Sequence, residues 1–214
     1  MSQLFNGECE YIHLLGGEPL LNPQCEEYLQ LARRCFPKGD IYLVTNGLLL
    51  PKQAESFYDT CREQRIIIAV TPYPISLDLD SIREKCAAFG VEFQLYGDEE
   101  TKTHFNRLLL DLTGSQDAVE NYRRCPYSNV CLFLYNGRMY PCGIGAHMRI
   151  FEQHFSAGLE LSEADSVDIF SVRNGYDLLY QLSKPVPMCR YCRCDQWSEL
   201  FQWHPSQKKM KEWV

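Results

Sequence analysis

Ile66-Ile67-Ile68-Ala69-Val70 is five consecutive residues without a polar side chain. Successive side chains of a strand point to opposite faces, so an unbroken apolar run implies a strand covered on both. Such strands belong to parallel sheets, whose crossovers are usually helices. The rest of the first half follows the same plan. Further apolar runs occupy 11–15, 41–44 and 91–95, and helical patterns lie between them. Leu21, Cys25, Tyr28, Ala32 and Cys35 recur on one helical face. Asn22 is the expected N-cap of that helix, with Pro23 at its first position. Pro51 is expected to open a second helix, and 78–89 suits a third. Strands alternating with helices give βα units on a parallel sheet or barrel. In that frame Cys25, Cys35, Cys61 and Cys86 are small core residues.

The ends of these strands carry polar turns. The first stops at Gly16-Gly17-Glu18-Pro19, the second at Thr45-Asn46-Gly47, the third at Thr71-Pro72-Tyr73-Pro74. Parallel α/β sheets build their sites at the C-terminal ends of strands. Gly16 and Gly17 predict a turn where backbone passes close to something, since neither carries a Cβ. Glu18 adds a carboxylate on the same rim, and Thr45 and Asn46 add a hydroxyl and an amide suited to ligand hydroxyls. After 95 the pattern loosens. Gly97-Asp98-Glu99-Glu100 reads as a turn, and 104–112 as a strand or short helix. His104 there reads as a structural or surface histidine. The boundary falls near Thr113-Gly114-Ser115-Gln116-Asp117, giving domains 1–115 and 116–214.

The second domain is set by cysteine. Eleven cysteines occur in 214 residues, and six of them, Cys125, Cys131, Cys142, Cys189, Cys192 and Cys194, are grouped. Asn136-Gly137 between two apolar runs is a strong two-residue hairpin signal. Its register sets Cys131 opposite Cys142, with Cβ atoms about 4.5–5.5 Å apart, so that both could bridge one metal centre. Cys125 is close enough in sequence to fold back on it. Cys189-x-x-Cys192 is a metal-knuckle spacing, equally suited to zinc or an iron–sulfur cluster. Cys194 is a spare sulfur, and Arg190 and Arg193 would offset thiolate charge. Between these groups, 146–155 and 176–182 look helical and 167–172 extended. The tail, 197–214, carries all three tryptophans and suits docking to a partner or packing on its own domain.

Charge and hydropathy exclude some functions. A net charge of −7 opposes binding to a nucleic-acid backbone. No apolar run approaches the roughly 20 residues of a membrane helix, and the N-terminus lacks the pattern of a signal peptide. A cytoplasmic protein with no membrane or nucleic-acid partner is expected, where stable disulfides are rare.

Three stretches together resemble the radical S-adenosylmethionine (SAM) superfamily, in its branch with a C-terminal SPASM/Twitch-type auxiliary cluster domain. They are Leu14-Leu15-Gly16-Gly17-Glu18-Pro19-Leu20-Leu21-Asn22-Pro23, Leu43-Val44-Thr45-Asn46-Gly47, and the grouped cysteines at 125, 131, 142, 189 and 192. The resemblance implies an α/β fold, a (β/α)6 partial barrel followed by a small α+β cysteine-rich hairpin domain. It implies that Gly16, Gly17 and Glu18 hold the methionine amino group of SAM, and that Thr45 and Asn46 lie near its ribose. Cys125, Cys131, Cys142, Cys189 and Cys192 would supply ligands to one auxiliary [4Fe–4S] cluster, with zinc as the alternative. The parent activity is reductive cleavage of SAM and radical modification of a substrate, which could be a peptide, a protein or a small molecule. The family's Cys-x3-Cys-x2-Cys motif, which binds its catalytic cluster, occurs nowhere in this sequence. The chain is therefore expected to lack the first βα unit, to have no catalytic residues of its own and to be inactive alone. The uncovered barrel edge would favour self-association. The contrasting readings are a non-catalytic protein stapled by zinc or a cluster, and an electron-transfer module.

Overall fold

The four apolar runs of the first half form four parallel strands: β1 (Tyr11–Leu14), β2 (Asp40–Thr45), β3 (Ile66–Val70) and β4 (Glu92–Leu95). The structure, a computed structural model, describes residues 1–97, 101–128, 130–197 and 200–214. Most of the turn expected at 97–100 lies outside them. Two compact units divide the chain, Met1–Thr103 and His104–Val214. The boundary thus comes earlier than 115/116. The physical reason is pairing: β5 (His104–Asn106) is antiparallel to β9 (Leu200–Gln202), and Leu110 bridges Cys192, so 104–115 belongs with the C-terminal half.

In the first unit the strands lie in the order β1-β2-β3-β4. β3 is buried along its whole length, as its composition requires. Helices α1 (Cys25–Cys35), α2 (Glu55–Glu63) and α3 (Leu79–Ala88) connect the strands. Leu29, Phe57, Tyr58 and Ile82 from these helices pack with Ile41, Leu43, Ile66 and Ile68 in one buried cluster. Cys61 and Cys86 are fully buried in it, whereas Cys25 and Cys35 are half-buried.

Two helix starts differ from expectation. Pro19–Leu21 is a 3-10 turn ending on Asn22, whose Oδ1 accepts from Gln24 N at 3.0 Å. That side chain is therefore used in a turn rather than as a helix cap, and α1 begins only at Cys25. Likewise Pro51 lies in a 3-10 turn, Leu50–Lys52, ahead of α2. Asp78 does cap α3, accepting from Ser81 N at 3.0 Å.

The other face of the sheet carries rings. His13 on β1 stands 5.1 Å from the ring of Tyr42 and 5.4 Å from that of Tyr96, just past β4. In a flat sheet β1 and β4 would be about 14 Å apart, three strand spacings. Rings carried by the two outer strands nevertheless meet over this face. Burial holds the His13 pKa below the ordinary imidazole value. Among the described residues β1 has β2 as its one strand neighbour, and Tyr11 at its start is half exposed.

In the second unit α4 (Ala118–Arg124) precedes the hairpin of β6 (Phe133–Tyr135) and β7 (Arg138–Tyr140). Asn136 and Gly137 both take positive φ, 48° and 73°, as a type I′ turn demands. The register matches the expected one, Phe133↔Tyr140 and Tyr135↔Arg138. α5 (Gly143–Phe155) follows at once, then β8 (Val167–Asp168), which pairs with β7 and is shorter than 167–172, and α6 (Gly175–Leu182). Leu110, Met148, Met188, Tyr191 and Trp197 form the core. The tail packs on its own domain: Trp197 Nε1 donates to Leu109 O at 3.0 Å, and Leu110 N donates to Trp213 O at 2.7 Å. No helix among the described residues is long and apolar enough to cross a membrane.

Candidate functional site

Each unit gathers one set of the expected residues. In the first, Glu18, Thr45 and Asn46 meet at the C-terminal ends of β1 and β2. Thr45 donates its hydroxyl to Glu18 Oε1 at 2.7 Å, and Leu20 N donates to the same oxygen at 3.1 Å. Asn46 N donates to Glu18 Oε2 at 2.9 Å. A carboxylate has about four acceptor positions, so these three bonds leave about one, on Oε2. Glu18 is a rigidly placed anion with room for one more donor, such as an ammonium.

The individual roles differ from those expected. Thr45 is buried, and its oxygen also accepts from Gly47 N at 3.1 Å. Its hydroxyl is spent on orienting Glu18 and closing the turn, not on a ligand hydroxyl. Asn46 turns its Oδ1 back to Leu48 N at 2.9 Å, which leaves its amide nitrogen as the outward donor. Gly16 and Gly17 are exposed, neither has positive φ, and a Cβ at either would meet nothing within 4 Å. Nothing inside the unit requires glycine there. The position that does is Gly47, with φ of 80° and a Cβ site 2.8 Å from Leu77 Cδ2. Tyr73, from the turn after β3, completes the rim; burial and then the Glu18 charge raise its pKa.

In the second unit Cys125, Cys142, Cys189, Cys192 and Cys194 line one small cavity of about 20 Å³, closed on one side by Trp197. They arrive on different elements. Cys125 ends α4, Cys142 precedes α5, and the other three follow α6 in short 3-10 turns. Cys142 is the N-cap of α5, its Sγ accepting from Gly145 N at 3.3 Å. Cys125 Sγ accepts from Tyr127 N at 3.4 Å. Amide donors and a helix N-terminus both favour thiolate over thiol.

Without a bound ion, the surroundings of Cys125, Cys142, Cys189 and Cys194 favour thiol over thiolate. The Cys125 thiol is hydrogen-bonded to Cys194, and that bond, followed by burial, pushes its pKa up. Cys194 is pulled down by the same bond, yet its bond to Cys192 and burial carry it up to about 12. Burial pushes Cys142 up against the Gly145 N–H, and Cys189 up to about 11. Among the described residues no three His, Cys, Asp or Glu side chains stand close enough to hold an ion as they are. The donor chemistry fits a soft metal centre. The thiols would have to lose their protons and close inward to hold one.

Cys131 does not join them. It is exposed and lines a neighbouring cavity instead. The hairpin ladder ends at Phe133↔Tyr140, because Cys142 leaves the strand to cap α5. The expected Cys131–Cys142 pair therefore does not form, although the register is right. Arg190 is also engaged elsewhere: it pairs with Glu160 at 2.7 Å and lies over the Tyr191 ring rather than against a thiol.

Sequence reasoning leaves Cys194 as a spare sulfur and does not find Asn121. Buried Asn121 donates its amide nitrogen to the carbonyls of Cys189 and Cys192, fixing both ends of the knuckle. Its signal was helical spacing, since it lies one turn before Cys125 on α4. The chain matches no protein-family model and no curated protein sequence.

Proposed function

We propose that this chain is a radical SAM-type protein whose C-terminal unit holds one auxiliary metal centre, a [4Fe–4S] cluster by resemblance, and whose N-terminal unit supplies the SAM-binding rim. One observation carries the reading: five cysteines from three separated stretches line one cavity. Cys125, Cys142, Cys189, Cys192 and Cys194 are the ligand candidates, Cys194 taking the place expected for Cys131. The rim supports the same reading. Glu18 has one acceptor position left for an amino group, Asn46 keeps its amide donor, and the space beside Gly16 and Gly17 is open. Four sequential parallel strands joined by helices suit a partial barrel. Self-association at the free β1 edge, and a substrate that is a peptide, protein or small molecule, belong to this proposal, as does a cytoplasmic setting. An auxiliary cluster supplies one-electron transfer or a coordination site for substrate, tuned by hydrogen bonds to its sulfurs and by burial. No Cys-x3-Cys-x2-Cys is present, so no SAM cleavage by this polypeptide alone is proposed.

A second reading has a specific observation behind it. A cavity of about 20 Å³ has room for about one water-sized sphere, which matches a single zinc ion more closely than an eight-atom cube. The chain would then be a zinc-stapled binding protein. Iron, sulfide and zinc content with a visible spectrum, on protein purified without oxygen, decides between them. About four irons and four sulfides per chain, with absorbance near 400 nm lost in Cys142→Ala, supports the cluster. One zinc without iron replaces the first reading with the second. No metal in either form overturns both.

A further inference from the structure

The second unit contains a larger cavity, of about 770 Å³, between α5 and the C-terminal tail. Its volume is in the range that takes small organic ligands. The walls are apolar: Leu108, Ile144, Ile150, Phe151 and Phe155 among them, with Trp213 folded over from the tail at 6.1 Å from the Phe151 ring. Ile150 and Trp213 remain half exposed, so this apolar surface is open to solvent rather than sealed as core.

One carboxylate, that of Glu212, is 2.6 Å from Oγ of the lining residue Ser206. No Asp or Glu lines the cavity among the described residues, although the chain carries 28 of them and a net charge of −7. The ionisable nitrogen groups there are Lys208, His147 and His154. His147 spends Nδ1 on Gly143 O at 2.7 Å, which leaves its other nitrogen for a partner. Lys208 is the more telling residue. Its backbone has a left-handed φ of 57°, uncommon for a lysine, and its N–H donates to Ser206 Oγ at 3.0 Å. Ser206 is in turn held by Glu212 at 2.6 Å, and the same carboxylate accepts from Gln207 N and Lys209 N. One glutamate thus staples the tail into a turn that sets Lys208 at the cavity mouth. Lys208 makes no ion pair among the described residues.

We infer that this cavity binds a small amphipathic carboxylate, with an alkyl or aryl body against the α5 face and Trp213 and its carboxylate at Lys208. The inference goes beyond the metal centre and stands without it. Cys131 and Cys142 border the same cavity, so a bound ligand would lie beside the thiol cluster.

The test is calorimetric titration of the purified full chain with dodecanoate, kept below its micelle-forming concentration, and with dodecyltrimethylammonium as the cationic counterpart. The expected result is saturable binding of one dodecanoate per chain, with the cation at least tenfold weaker. Lys208→Gln, at an exposed position, is expected to weaken dodecanoate about fivefold, the loss of one partly solvated charge pair. Ile150→Glu puts a carboxylate at the half-exposed rim and is expected to weaken it more than tenfold. Absence of saturable binding overturns the inference. Equal affinity for anion and cation, or an unchanged affinity in Lys208→Gln, overturns it as well.

Discussion

Glu18 in the first unit and the thiols around Cys142 in the second are both polar groups gathered at one place, but they are held differently. The Glu18 carboxylate is fixed by a hydroxyl and two backbone amides of its own unit. It is a finished part, oriented before anything binds. The five cysteines are brought together from stretches far apart in the chain, with one amide N–H directed at the sulfur of Cys125 and one at that of Cys142. Backbone amides order the first site. For the second, an ion that replaces the thiol protons would do the ordering, and its binding energy would be folding energy. On the proposed reading, one chain joins a unit whose site is ordered by hydrogen bonds to a unit whose site a metal ion would order.

The largest expected effect follows from that difference. If the second unit holds the proposed metal, stripping it from the anaerobically purified protein with a chelator is expected to cost that unit about 10 kcal/mol, the lower end of the scale for structural metal sites. The first unit should keep its stability. Hydrogen exchange followed by peptide mass analysis separates the two: α4 and α5 lose protection, β2 and β3 do not. Equal loss in both units would break the comparison.

A smaller effect sharpens it from the other side. Gly47 closes the turn that presents Thr45 and Asn46 to Glu18, at φ of 80° with Leu77 and Val70 against the site of a Cβ. Gly47→Ala is expected to destabilise the first unit by about 2–3 kcal/mol, from the left-handed backbone and the clash together. The second unit's exchange protection and metal content should not change. Denaturant midpoints measured with and without metal check both statements.

How far the sequence reached differs between the two sites for physical reasons. β3 coincides with its apolar run because an all-apolar pentapeptide has few other places to go. The convergence of Glu18, Thr45 and Asn46 was legible because parallel strands put their C-terminal ends on one rim. Glycine was harder. Gly16 and Gly17 stand out in the sequence, yet the glycine this rim needs is Gly47, which reads as an ordinary turn residue. At the hairpin, Asn136-Gly137 fixed the register, and the register implied a Cys131–Cys142 pair. Helix capping at Cys142 competed with the ladder and won, a contest between local motifs that period and spacing do not rank. Helical spacing places Asn121 one turn before Cys125, but its bonds to the knuckle span some 70 residues of chain, as does the approach of Cys194 to Cys125, and no local pattern encodes those.

The smallest effect concerns buried thiols in the two units at high pH. In the first unit burial pushes Cys86 from the ordinary thiol value of 9.0 up to about 11, and raises Cys61 as well. A thiol with a raised folded pKa holds its proton more tightly in the native state. Its contribution is whole below about pH 9, where folded and unfolded chains are both protonated. It is lost as pH rises from 9.0 toward 11, because the unfolded chain deprotonates first. The first unit should therefore lose about 2 kcal/mol per such thiol over that window. Cys86→Ala, less stable at pH 8 because of the cavity it leaves, should show a shallower decline between pH 9 and 11. In the second unit the same cysteines with metal bound would be thiolates already, with no proton left to lose. Its alkaline decline should be flat when loaded and should appear only after stripping, when Cys142 and Cys189 recover their raised values. An alkaline loss in the loaded second unit equal to that of the stripped one would mean that the thiols are not ligands, and that both units keep their cysteines for packing alone.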